Sequence, residues 1–154
     1  AGDSPIVYAN YYIGSGGGGA GAASVKVINN PTPGGVGIAS AISGTVTTYA
    51  GGGGGGQAYY SDYIIVGVAG GGAANGNSTN NYIGQNGSAN TGGGAGGTSY
   101  SPGSNAGTPT GGSGIVIIRY PSVFSDATSV TGGTKTTANG YTIYTFLTSG
   151  SIIL

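Results

Sequence analysis

Apolar residues in this chain fall into a few short runs, separated by long stretches with no hydrophobic period. Ile115-Val116-Ile117-Ile118-Arg119-Tyr120 is the clearest run. Gly114 and Pro121 bound it, and its continuous apolar character predicts a strand buried on both faces as far as Arg119. Tyr141-Thr142-Ile143-Tyr144-Thr145-Phe146 alternates instead. Tyr141, Ile143 and Thr145 would face one way, and Thr142, Tyr144 and Phe146 the other. Residues 151–154 predict a short closing strand after a turn at Ser149-Gly150. No stretch sustains a 3.6-residue apolar period, and glycine and β-branched residues dominate, so no helix is predicted. The pattern reads as all-β, with short strands set among other material.

That other material is glycine, 38 of 154 residues. It concentrates at 16–19, 51–56, 70–72 and 92–97, the last run broken by Ala95. Average usage is about 7%, so the excess is large. Disordered linkers share it, but they are usually charged and poor in aromatic and β-branched residues. Here charge is scarce and 12 tyrosines are present. Ordering glycine is costly, because each fixed residue loses about 1–2 kcal/mol of backbone entropy, with glycine at the high end. Compensation must come from backbone hydrogen bonds and close chain packing. The polyproline II form supplies both, since its helix has about 3 residues per turn and leaves N–H and C=O groups free to bond to neighbouring segments. Cα–H···O contacts add a smaller term. The prediction is therefore short β-strands with glycine-rich, polyproline-II-like layers.

A weak internal repeat supports this organisation. Ile13-Gly14-Ser15-Gly16-Gly17-Gly18-Gly19-Ala20 parallels Val66-Gly67-Val68-Ala69-Gly70-Gly71-Gly72-Ala73, and a strand-like lead precedes each copy, Tyr11-Tyr12 and Tyr63-Ile64-Ile65. Residues 57–62, 75–90 and 98–110 read as connections and loops. Glycine density falls after Pro121, which divides the chain into a glycine-rich domain at 1–120 and a small C-terminal strand module at 121–154.

Little catalytic material is available. The basic residues are Lys26, Arg119 and Lys135; the acidic ones are Asp3, Asp62 and Asp126, far apart in sequence. Histidine and cysteine are absent, which removes the usual general bases and thiol nucleophiles. The chain reads as a non-enzyme without a cofactor or metal. Three cations are too few for binding nucleic acid through its phosphates. Gly-x-Gly-x-x-Gly spacings occur within the glycine runs, but no following helix or Gly-Lys-Ser/Thr element turns them into a phosphate cradle. A net charge of zero favours association with copies of itself or with other proteins. The best apolar stretch, 63–74, is short and interrupted by glycine, so no membrane-spanning helix is predicted. Residues 1–5 resemble no secretory leader. Ala1 is not Met, so the chain is read as processed or as part of a longer product.

Tyrosine carries the main binding signal. It offers a broad apolar face and one hydroxyl at low entropic cost. Beside Asn, Ser and Thr it suits a glycan or protein surface. The candidate receptor-binding residues are Tyr59, Tyr60, Asp62, Asn80, Asn81, Tyr82 and Tyr100. The competing reading is that these tyrosines cap the edges of a glycine layer that has few other bulky residues. Tyr141 and Tyr144 read as packing residues.

Several phrases resemble a known family. Gly112-Ser113-Gly114-Ile115-Val116-Ile117-Ile118-Arg119-Tyr120 is similar to the segment that ends the glycine-rich domains of many bacteriophage tail-fibre proteins. Gly140-Tyr141-Thr142-Ile143-Tyr144-Thr145-Phe146 resembles the strand pair beside those domains. Gly37-Ile38-Ala39-Ser40-Ala41-Ile42-Ser43-Gly44 and Asp62-Tyr63-Ile64-Ile65-Val66 resemble two more of their recurring phrases. The resemblance implies a virion surface protein, either a tail-fibre adhesin or a head fibre. It implies polyglycine II helices whose loops meet a host glycan or outer-membrane protein, in a homo-oligomer such as a trimer. Shorter glycine runs and the interruption at 57–62 fit a smaller glycine layer grafted on β-strands as well as a full helical sandwich. Two other readings stand beside it. One is a self-assembling filament or capsid-decoration subunit with no receptor of its own. The other, an ice-binding bundle, would need a regular Gly-x-x period and a flat Thr or Ala face.

Overall fold

The computed structural model describes residues 6–8, 11–26, 32–58, 84–98 and 108–154. Among them there is no helix, and the fold is all-β. The strands are β1 (Ile6–Tyr8), β2 (Tyr11–Ile13), β3 (Ile38–Ser40), β4 (Thr47–Tyr49), β5 (Gln57–Ala58), β6 (Val116–Pro121), β7 (Ser129–Ala138) and β8 (Tyr141–Ile153). They form three sheets, in the orders β1-β2-β5, β3-β4 and β6-β8-β7. The chain divides into two compact units: residues 1–38 with 48–113, and residues 39–47 with 114–154.

In the first unit the strands are brief and the glycine runs are the frame. The strand-like lead before the first run is β2, antiparallel to β1 and to β5. Gln57 and Ala58, read as connection, are thus a short strand. Beyond β2 the backbone bonds change period. Gly14, Gly17 and Ala20 donate their N–H groups to the carbonyls of Gly56, Gly53 and Ala50 at 2.7–2.9 Å. Thr32 and Gly35 donate to Gly14 and Gly17, Gly55 and Gly52 donate to Thr32 and Gly35, and Gly94 and Gly97 donate to Gly51 and Gly54. Each series advances by three residues, the repeat of a polyproline II helix rather than the two-residue repeat of a strand. The segments 14–20, 32–36, 50–56 and 91–97 are therefore parallel or antiparallel rows. The row at 50–56 lies between the other three, and Gly51 to Gly55 are buried.

Glycine is required where rows face each other. A Cβ on Gly53 would overlap the Ala95 carbonyl, and one on Gly52 would overlap the Gly17 carbonyl. Gly17 has room, since a Cβ there would find its nearest neighbour, the Gly53 nitrogen, at 3.7 Å. So the rows tolerate Ser15, Ala20 and Ala95 between the facing positions, while Thr32 is buried. Residues 84–88, read as part of a loop, also join this frame. Gly96 donates to Gln85, Gly87 donates to Thr110, and Gly84 is buried.

The second unit is an antiparallel sheet with a small side-chain core. The expected strand at 115–120 is β6, but it is not buried on both faces. It is an edge strand paired only with β8, and Val116 is 59% exposed. The centre belongs to β8, which carries the buried Ile143, Tyr144 and Phe146 together with Thr142. Its alternation is as expected, yet both faces are covered. On one face, Gly44 of the 39–47 hairpin lies against Ala138 and Ile143. On the other, the 122–128 loop donates the Ala127 N–H to the Tyr144 hydroxyl at 3.0 Å. Fully burying Ile143 and Tyr144 contributes about 1.5–3 kcal/mol each.

No turn occurs at Ser149-Gly150. β8 runs on to Ile153 with the same partner, β7. Thr131 pairs with Ser151 and Gly133 with Phe146, so Gly132 alone opposes Leu147, Thr148, Ser149 and Gly150. This is a bulge, and Gly132 adopts φ +72° within it. β7 itself has no apolar period in the sequence. Its Gly133 is required because a Cβ there would come within 2.5 Å of the Phe146 ring. The β7–β8 connection is Asn139-Gly140 at φ 51° and 77°, the left-handed pair that a tight two-residue hairpin needs.

Candidate binding surface

The candidate residues Tyr59, Tyr60, Asp62, Asn80, Asn81, Tyr82 and Tyr100 all lie outside the described residues, as does the second copy of the internal repeat. The residues flanking them are described. β5 ends at Ala58, immediately before Tyr59. Gly84 follows the 59–83 segment, and Thr98 and Thr108 bracket residues 99–107.

These flanks converge. Gly56 lies against the Thr98 carbonyl, and Gly84 lies against the carbonyls of Gly96 and Gly97. Thr110 donates its N–H to the Asn86 side chain at 2.8 Å, two residues on from Gly84. Gly14 bonds to Gly56, and Thr32 accepts from Gly55, so they share the same end of the rows. Ala20, Ala50, Thr91 and Ser113 mark the opposite end. There Ser113 Oγ accepts from the Asn90 N–H at 2.9 Å and donates to Asn90 Oδ1 at 3.0 Å. Loop attachments are thus gathered at one end by the antiparallel course of the rows. Single-sequence reading offered no signal for this, because row pairing is a long-range property.

The frame itself presents little chemistry. An open groove of about 720 Å³ runs along the rows at 14–20, 50–56 and 92–97. It is lined by glycine and alanine backbone, with Ser15 the one exception.

The charges of the second unit are engaged in structure. The Arg119 guanidinium lies 3.6 Å from the centre of the Tyr141 ring, and its Nη1 donates to the Ala41 carbonyl at 2.8 Å. This cation–π contact ties the 39–47 hairpin to the sheet. Lys135 and Asp126 form an exposed ion pair. The hydrogen bond to Asp126 holds the Lys135 pKa above its ordinary value. Tyr120 donates to the Tyr144 hydroxyl at 3.5 Å. That bond, helped by desolvation, pushes the Tyr120 pKa up to about 12. Tyr144 is 1% exposed, which agrees with its reading as a packing residue. Among the described residues no cluster of acidic, histidine or cysteine side chains could hold a metal ion, and no helix is long and apolar enough to cross a membrane.

Comparison with known proteins gives one result. Residues 1–121 match the model of a family described as a glycine-rich domain. No curated protein and no solved structure matches the chain.

Proposed function

The chain belongs to the glycine-rich domain family, and we propose that it is a structural fibre protein of a bacteriophage virion, a tail-fibre component that attaches to the host surface. It acts without catalysis and without a cofactor. The glycine rows are the stiff frame, and the interruptions at 59–62, 80–82 and 100 carry recognition. Its partners are other copies of itself, other virion proteins, and a glycan or outer-membrane protein of the host.

One observation carries this reading: the described flanks of both candidate segments meet at one end of a frame held by its backbone. Such a frame offers almost no side-chain chemistry of its own. A function carried by Tyr, Asn and Asp at the frame's interruptions fits that division of labour. The tail-fibre phrases at 37–44, 112–120 and 140–146 support the same class.

Binding of the purified chain to whole cells of a bacterial panel, and to their isolated surface glycans, tests it. A strain that binds is expected, with the Tyr59→Ala, Tyr60→Ala and Tyr82→Ala variants each weakened tenfold or more if they anchor the contact. A deletion within the 75–90 loop must stop at residue 83, because Gly84 is part of the frame. Parent-like binding by all three variants would remove these tyrosines from the contact.

A second reading, a filament or head-decoration subunit with no receptor, has its own support. The second unit exposes more large apolar side chains than it buries, among them Val116, Val123, Phe124, Leu147 and Leu154. A partly apolar surface with few charges suits contacts between copies. Spontaneous filaments together with no binding to any strain would decide for it.

A further inference from the structure

We draw no further inference here: the strongest candidate, the open groove along the 14–20, 50–56 and 92–97 rows, is a stripe of small residues with no buried polar side chain aimed into it, and nothing in the structure shows what covers it.

Discussion

The two units solve the same problem with different materials. In the first, backbone bonds repeat every third residue, and Gly51 to Gly55 are buried with no side chains to contribute. In the second, a conventional sheet buries Ile143, Tyr144 and Phe146 on its central strand. Glycine serves both, but differently. In the rows its missing Cβ lets carbonyls approach. In the sheet Gly133 makes room for a ring, and Gly132 and Gly140 supply positive φ. The lesson is that order can be kept by removing side chains as well as by packing them. The two kinds of order should then fail for opposite reasons, one by adding atoms and the other by deleting them.

The largest effect is expected from deletion in the second unit. Phe146→Ala should cost about 4 kcal/mol, read as loss of amide protection across β6, β7 and β8. Full protection in that variant would mean that the ring is not part of the core. Addition in the first unit comes next. Gly53→Ala drives a methyl into the Ala95 carbonyl and should cost about 3 kcal/mol, with exchange accelerating at Gly52, Gly55, Gly94 and Gly97. Gly17→Ala places the same methyl in ordinary van der Waals contact with Gly52 and Gly53 and should leave stability unchanged to within about 0.5 kcal/mol. Equal behaviour of the two variants would abolish the distinction between crowded and roomy positions.

Smaller changes sharpen the contrast. Ala50 holds φ 54° in the central row, a conformation that disfavours a Cβ. Ala50→Gly should therefore stabilise the first unit by about 0.5 kcal/mol, after the extra entropy of an unfolded glycine is offset. Destabilisation in chemical unfolding would show that the alanine methyl matters more than its strain. The second unit should respond to high pH. Tyr120 keeps its proton to about pH 12 when folded, against 10.0 ordinarily. Its contribution is complete below pH 10.0 and lost as pH rises through about 12. Lys135, also raised, acts with the same sign. Tyrosinate absorbance followed with thermal melting across that range would read both, and stability that stays flat would dismiss the Tyr120–Tyr144 bond.

Much of the fold was legible because it is local. The lack of a 3.6-residue period excluded helices, and glycine with scarce charge pointed to polyproline-II-like layers. The run ending at Arg119 and Tyr120 marked a strand, and Tyr141 to Phe146 marked the alternating one. The failures share one cause. β7 hid in Ser129 to Ala138 because Gly133 answers to the Phe146 ring and Gly132 to the Ser149 carbonyl, neither of them a neighbour in sequence. Ser149-Gly150 looked like a turn because turn and bulge use the same residue types, and only the pairing with Gly132 separates them. The 115–120 run looked central because apolar continuity cannot reveal whether a strand has one partner or two. The candidate tyrosines were chosen from composition, and their chemistry was visible, but the gathering of their flanks at one end was not.

Among the described residues, the sequence by itself determined the class of backbone: no helix, strands where β-branched and aromatic residues cluster, and close-packed rows where glycine is dense. Those outcomes follow from local sterics and entropy, which each residue carries with it. Tertiary structure alone decided which rows are neighbours, which glycines must stay glycine, and which strand is buried on both faces. Those depend on carbonyls and rings brought together from distant positions, as Gly53 meets Ala95 and Gly133 meets Phe146.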